Sequence, residues 1–206
     1  MTERLPVERI VPALEEALAA AGSAVLVAEP GAGKTTVVPW RLLDAPWLRG
    51  RKIVMLEPRR VAARAAAARL AWRLSEPVGE TVGYRIRFDT RVSSTTRIEV
   101  VTEGVLARMI DDDPALEAWG LVIFDEFDER SLPGDLGLAL TLQSRAILRP
   151  DLRVLVMSAT LDSAAVSRLL GNAPVLDAPG RVFPVETRYR PARPDSRFEA
   201  HVAGVV

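Results

Sequence analysis

Four short apolar runs constrain this chain more than any other feature. They are A-V-L-V-A (24–28), I-V-M-L-E (53–57), L-V-I-F-D (121–125) and V-L-V-M-S (154–158). None alternates apolar with polar residues. A strand with one wet face shows that alternation, whereas a strand covered on both faces does not. Helix-like segments separate the runs, over 34–43, 60–74, 103–110, 134–148 and 162–170. The alternation predicts an α/β fold: a mostly parallel central sheet, right-handed crossovers and helices on both faces. Ligands of such sheets collect at the carboxyl ends of the strands. The residues just after each run therefore carry the functional information.

After the first run comes A-E-P-G-A-G-K-T-T, residues 28–36. It fits the phosphate-loop pattern G-x-x-x-x-G-K-[ST] except at its first position, where Ala28 replaces glycine, and it has the required strand before and helix after. Gly31 and Gly33 let the backbone curl so that its amides face an anion, and Ala32 and Thr36 complete the expected nucleotide-binding loop. The helix beginning there adds its positive end. Lys34 is placed to reach the β- and γ-phosphates, and Thr35 to offer a hydroxyl to Mg²⁺. The plain alternative is a glycine-rich turn with a surface lysine. Against it, only Lys34 and Lys52 are lysines among 27 basic residues. Pro39, inside the helix that follows, removes an amide donor and predicts a local kink.

A phosphate loop needs an acid on a neighbouring strand to hold its metal. L-V-I-F-D-E supplies one, leading into D-E-F-D-E-R at 125–130. Asp125 is expected to hold Mg²⁺ and Glu126 to orient and deprotonate a water. The two acids reach one pocket only if the backbone turns at the strand's end. Taken alone, the segment reads equally well as an acidic turn.

Composition narrows the class. The chain has 206 residues, 49% hydrophobic and 26% charged, with 27 acidic and 27 basic residues and no cysteine. That suits a sizeable core and excludes disulfides and thiolate metal sites. The longest uncharged stretch near the N-terminus, 17–28, is too short to span a bilayer and lacks a preceding basic cluster. A cytoplasmic protein without a membrane partner is the expectation. After residue 178 four prolines and no helical period suggest an extended segment or linker. The expected organisation is a domain over 1–185 and, over 186–206, a linker with the start of a second domain.

In chain order, A-E-P-G-A-G-K-T-T-V-V-P, L-E-P-R-R-V-A-A-R, V-G-Y-R-I-R-F-D, V-T-E-G-V-L-A-R, F-D-E-F-D-E-R-S-L and M-S-A-T-L-D cover residues 28–162. This set resembles the successive motifs of DEAH-box helicases, most of all the bacterial HrpB-type branch. Six ordered motifs are far more specific than any one of them. The resemblance implies a RecA-like P-loop NTPase domain, the first of two in such helicases, that binds ATP and Mg²⁺. It implies that Arg59, Arg60 and Thr102 contact the backbone of single-stranded RNA, with DNA possible. Arg69 would lie against the nucleotide base. Asp128, Ser158 and Thr160 would couple nucleotide state to strand movement. The fourth letter of the family box is normally histidine and here is Asp128, as in the DEAD-box relatives. The second-domain pattern Q-x-x-G-R-x-G-R, which carries arginine fingers, is not found, so that partner domain is expected in a longer chain. Two readings stand beside the helicase: a nucleotide-gated nucleic-acid adaptor without unwinding, and a small-molecule P-loop kinase. The kinase is disfavoured by Glu126 directly after Asp125 and by S-A-T. Aromatic residues are scarce, so no stacking platform is evident.

Overall fold

The computed structural model describes residues 5–160, 162–180, 186–187, 189, 191 and 198–204. The strands are β1 (Ser23–Ala28), β2 (Lys52–Glu57), β3 (Val82–Ile86), β4 (Asp89–Arg91), β5 (Ile98–Thr102), β6 (Trp119–Phe124), β7 (Arg153–Ser158) and β8 (Val175–Ala178). They form one eight-stranded sheet in the order β4-β3-β5-β2-β6-β7-β1-β8. Every pairing is parallel except β3 with β4, a hairpin at one edge. The helices are α1 (Val11–Ala21), α2 (Lys34–Arg41), α3 (Arg60–Arg73), α4 (Glu103–Asp112), α5 (Leu132–Ile147), α6 (Ser163–Leu169) and α7 (Phe198–Ala203).

The core explains why the four runs show no alternation. Two apolar layers sandwich the sheet, and neighbouring residues of one strand feed opposite layers. Leu121 and Ile123 of β6 join the layer of α1, α2 and α3, which includes Leu14, Val37 and Leu70. Val122 and Phe124 join the layer of α4, α5 and α6, which includes Leu106, Leu138 and Val166. Both sets must be apolar, so period two is present in space but invisible in composition.

The expected α/β architecture, with helices on both faces, is what the structure shows. All four apolar runs are strands within a residue or two, and the five expected helices are present. α2 continues through Pro39 to Arg41. Five elements lay outside the sequence reading: α1, β3, β4, β5 and β8. The last stretch, read only as the start of something further, contains α7. The expected domain boundary at 185 lies outside the described residues. No described helix is long and apolar enough to cross a membrane.

Candidate functional site

The strand order brings four loops together at the carboxyl end of the sheet. β1, β7, β6 and β2 are consecutive neighbours. Their ends carry, in that order, the phosphate loop, S-A-T, D-E-F-D-E-R and E-P-R-R.

In the phosphate loop Gly31 and Gly33 have φ of 82° and 96°, a region glycine enters without steric cost. A Cβ on Gly33 would also sit 2.8 Å from Leu5 Cδ1. Ala28, at the departure from the motif, is the buried last residue of β1 and pairs with Ala178. Glycine's freedom is not needed in an extended strand, so alanine is tolerated. The loop is braced by Val7, whose amide donates to the carbonyl of Ala32 at 3.1 Å. α2 begins at Lys34, as the motif requires. Gly31, Ala32, Gly33, Thr35 and Thr36 thus surround the start of one helix.

β6 ends at Phe124, and the backbone then turns sharply. Glu126 sits in the left-handed region at φ 49°, followed by a short 3-10 turn over Phe127–Glu129 and by Arg130 at φ 42°. Such conformations cost a non-glycine residue about 1–3 kcal/mol each and persist where surrounding contacts over-determine them. Those contacts are plain. Thr35 Oγ1 donates to Asp125 Oδ2 at 2.5 Å. Lys34 Nζ lies 2.9 Å from Glu126 Oε1. The Asp125 amide donates to the Leu56 carbonyl at 3.0 Å. Thr160 Oγ1 donates to Asp128 Oδ2 at 2.6 Å. Arg59 Nη2 and Nε donate to Glu129 Oε2 at 3.0 and 3.2 Å. Arg130 pairs with Asp135 at 2.8 Å. Ser131 caps α5 by accepting from the Gly134 amide at 2.9 Å, and donates to Glu103 of V-T-E-G. The polar side chains from 125 to 131 reach the phosphate loop, the start of α3, the end of β7, α4 and α5. The segment is a hub rather than a solvated acidic turn, and both acids reach the phosphate loop.

The electrostatics are unusual for carboxylates. Burial pushes the Asp125 carboxyl up to about 6, with Glu126 adding to the rise and Thr35, Lys34 and the Glu126 amide opposing it. Sequence reasoning missed Glu57, buried at the end of β2. Burial drives its carboxyl up to about 9, helped by the charge of Asp125, a hydrogen bond to it, and Glu126. The last letter of I-V-M-L-E was the available signal: an acid closing a buried strand. Burial also acts on Asp128, but the hydroxyls of Thr160 and Ser158 hold it below the usual carboxylate range.

The remaining expected site residues fall into two groups. Arg59 directly precedes α3, Arg60 is its first residue, and Thr102 precedes α4. Glu57 and Thr102 are register partners across β2 and β5, so all three lie at the same sheet end as the acids. Ser158 is buried at the end of β7, and its Oγ accepts from the Thr160 amide at 3.3 Å. Arg69 lies farther along α3, with its guanidinium 4.2 Å from the ring centre of Trp72. Trp72 is 63% exposed and Phe88, at the β3–β4 turn, 87% exposed. With Tyr189, three of the described aromatics are thus presented to solvent, a placement that composition does not reveal.

Among the described residues no group of three His, Cys, Asp or Glu side chains forms a metal cage. Mg²⁺ does not require one, because it is commonly held by one or two carboxylates together with substrate phosphates. Thr35 and Asp125 offer hard oxygen donors in that pattern.

A phosphate loop after one strand, facing paired acids two strands away across a parallel sheet, defines a RecA-like nucleotide-binding domain. The chain belongs to the DEAD/DEAH box helicase family, whose model matches residues 10–169. It is 53% identical over 199 residues to the ATP-dependent RNA helicase HrpB of Escherichia coli (strain K12), covering 97% of this chain and 24% of that protein. It is 37% identical over 189 residues to the ATP-dependent RNA helicase HrpA homolog of Haemophilus influenzae, covering 92% and 14%. A crystal structure of the Escherichia coli DEAH/RHA helicase HrpB superposes with a TM-score of 0.87 at 52% identity, over 98% of this chain and 26% of that one. A second, of the E. coli DExH-box NTPase HrpB, gives 0.85 at 51% identity. The chain therefore spans about a quarter of the length of its HrpB relatives.

Proposed function

We propose that this chain is the nucleotide-binding motor domain of an ATP-dependent RNA helicase. It binds Mg-ATP and the backbone of single-stranded RNA. It hydrolyses ATP together with a second RecA-like domain, in a longer chain of the kind its relatives have. One observation carries the reading: Lys34 and Thr35 of the phosphate loop contact Glu126 and Asp125, at 2.9 and 2.5 Å. In this reading Lys34 exchanges Glu126 for the phosphates of the nucleotide. Thr35 and Asp125 hold Mg²⁺, and Glu126, once released, accepts the proton of the attacking water. Gly31, Ala32, Gly33 and Thr36 cradle the phosphates, and Arg69 lies against the base. Arg59, Arg60 and Thr102 take backbone phosphates of the strand. Asp128, Ser158 and Thr160 join the acid segment to the end of β7 and relay nucleotide state.

The partner domain matters because arginine fingers are worth roughly 10³–10⁵ in rate in related phosphoryl transfer. Steady-state ATP hydrolysis by this chain in Mg²⁺, with and without single-stranded RNA, tests the proposal. Near-zero turnover in both, with measurable Mg-ATP binding, is the expected result. RNA-stimulated turnover would show that no second domain is needed, and phosphate transfer to a small molecule would reinstate the kinase. A second reading, the nucleotide-gated adaptor, draws on Asp128, whose hydrogen bond is made to Thr160 within this domain. Undetectable turnover in the longer chain, with Mg-ATP and RNA binding intact, would favour it.

A further inference from the structure

Arg59 is engaged on its own domain. Its Nε and Nη2 both donate to a single oxygen, Oε2, of Glu129. The side chains are 72% and 40% exposed, and an exposed pair of this kind is weak and readily exchanged. A guanidinium fork is better matched by two oxygens of one anion than by one. A phosphate diester at this position offers two. Glu129 also lines a small cavity with Pro58, Glu103, Asp125 and Glu126. It closes the 3-10 turn that begins directly after Glu126. The carboxylate that occupies Arg59 therefore belongs to the turn that positions the metal-and-water acids.

We infer that Glu129 competes with a nucleic-acid phosphate for Arg59, so that strand binding releases the turn following Asp125 and Glu126. Glu129 is then a positioning residue acting through Arg59. The inference rests on the reading of Arg59 as a strand contact. It adds an exchange in which phosphate replaces carboxylate and no covalent bond changes.

A double-mutant cycle on this chain tests it. The affinity for a fluorescent single-stranded oligouridylate is measured by anisotropy at several salt concentrations, for the parent, Glu129→Gln, Arg59→Ala and the double variant. Thermal melts confirm that each variant is folded. Arg59→Ala is expected to weaken binding and to lower the salt slope by about one counterion. Glu129→Gln is expected to tighten binding about 1.5- to 5-fold, the range an exposed ion pair spans. In the Arg59→Ala background that gain is expected to vanish. An equal gain in both backgrounds would reduce Glu129 to general charge repulsion and overturn the inference while Arg59 keeps its role. A loss of affinity in Glu129→Gln would overturn it too, because Glu129 would then be orienting Arg59 for the strand. Unchanged binding in Arg59→Ala would remove the strand-contact reading itself, and the inference with it.

Discussion

Lys34 meets Glu126 at 2.9 Å, and Lys52 meets Glu99 at 3.2 Å. The groups are the same and the distances nearly so, yet the settings are opposite. Glu99 lies mid-strand in β5, fully buried, and a second cation, Arg85, approaches it at 2.7 Å. Lys52 adds a contact with the Trp119 ring, 5.7 Å from its centre. That acid has no freedom to leave and two cations to neutralise it. Glu126 lies after its strand, in a left-handed turn, with its side chain 35% exposed. Its neighbours are further acids, Asp125 and Glu57. Here one cation faces three carboxyls, two of them pushed toward the neutral form by burial. A pair surrounded by compensating charge is structural. A pair amid acids that no second cation neutralises, at the start of α2, is placed to exchange partners. The position of an acid relative to its strand, rather than its partner, separates the two.

The largest effect is expected from Glu126→Gln in a chain that includes the second domain. Loss of a general base costs about 10²–10⁴ in rate, while Mg-ATP affinity should stay within a few-fold. Hydrolysis near the parent rate would exclude Glu126 as the base. On the structural side, Lys52→Ala leaves Glu99 with Arg85 alone. It should cost about 1–3 kcal/mol in a urea melt, as expected for a buried group losing one of its partners. An unchanged midpoint would mean that Lys52 contributes only solvated charge.

The acid cluster adds a pH dependence. Glu57 is raised in the folded state from 4.5 to about 9. Between those values the folded protein holds a proton that the unfolded chain releases. This contribution to stability is full below the lower value and is lost as pH rises toward the upper one. The slope for one proton is at most about 1.4 kcal/mol per pH unit. Asp125, raised from 3.8 to about 6, acts in the same direction over a narrower window. Glu57→Gln, which cannot ionise, should flatten the decline between pH 5 and 9. Parallel stability profiles for parent and variant would show that Glu57 titrates normally. The smallest effect is expected from Thr160→Val, which deletes the hydrogen bond to Asp128 and should cost about 0.5–1.5 kcal/mol by thermal melt. No measurable change would show that water replaces the hydroxyl at no cost.

What could be read in the sequence follows from what was local. The central strands announced themselves because both faces are buried and each run is apolar throughout. β5 was missed because Glu99 and Thr102 interrupt I-E-V-V-T, and the glutamate is compensated by Lys52 and Arg85 from other strands. β4 and β8 are short edge strands, and most of β8 is partly exposed. α1 was hidden by its junction with β1 at Gly22, which folds one continuous uncharged stretch into two elements. The phosphate loop and the acid segment stood out because each is a contiguous motif at the end of a strand, and the structure sets the two side by side. The contacts of Arg59 with Glu129 and of Thr160 with Asp128 span 70 and 32 residues. They arise from strand order, which no local pattern encodes. Glu57 was legible as an acid ending a strand, but its burial against Asp125 depends on β2 and β6 being neighbours.

The most direct test of this account is equilibrium binding of a fluorescent ATP analogue to the chain in Mg²⁺, comparing the parent with Lys34→Ala and Lys52→Ala. Lys34→Ala is expected to lose about 2–5 kcal/mol of affinity, as when one partner of a desolvated charge pair is truncated. Lys52→Ala should bind as the parent does below its melting transition. Equal affinity in parent and Lys34→Ala, or an equal loss in both variants, would contradict the assignment of the nucleotide site to the phosphate loop and the acids beside it.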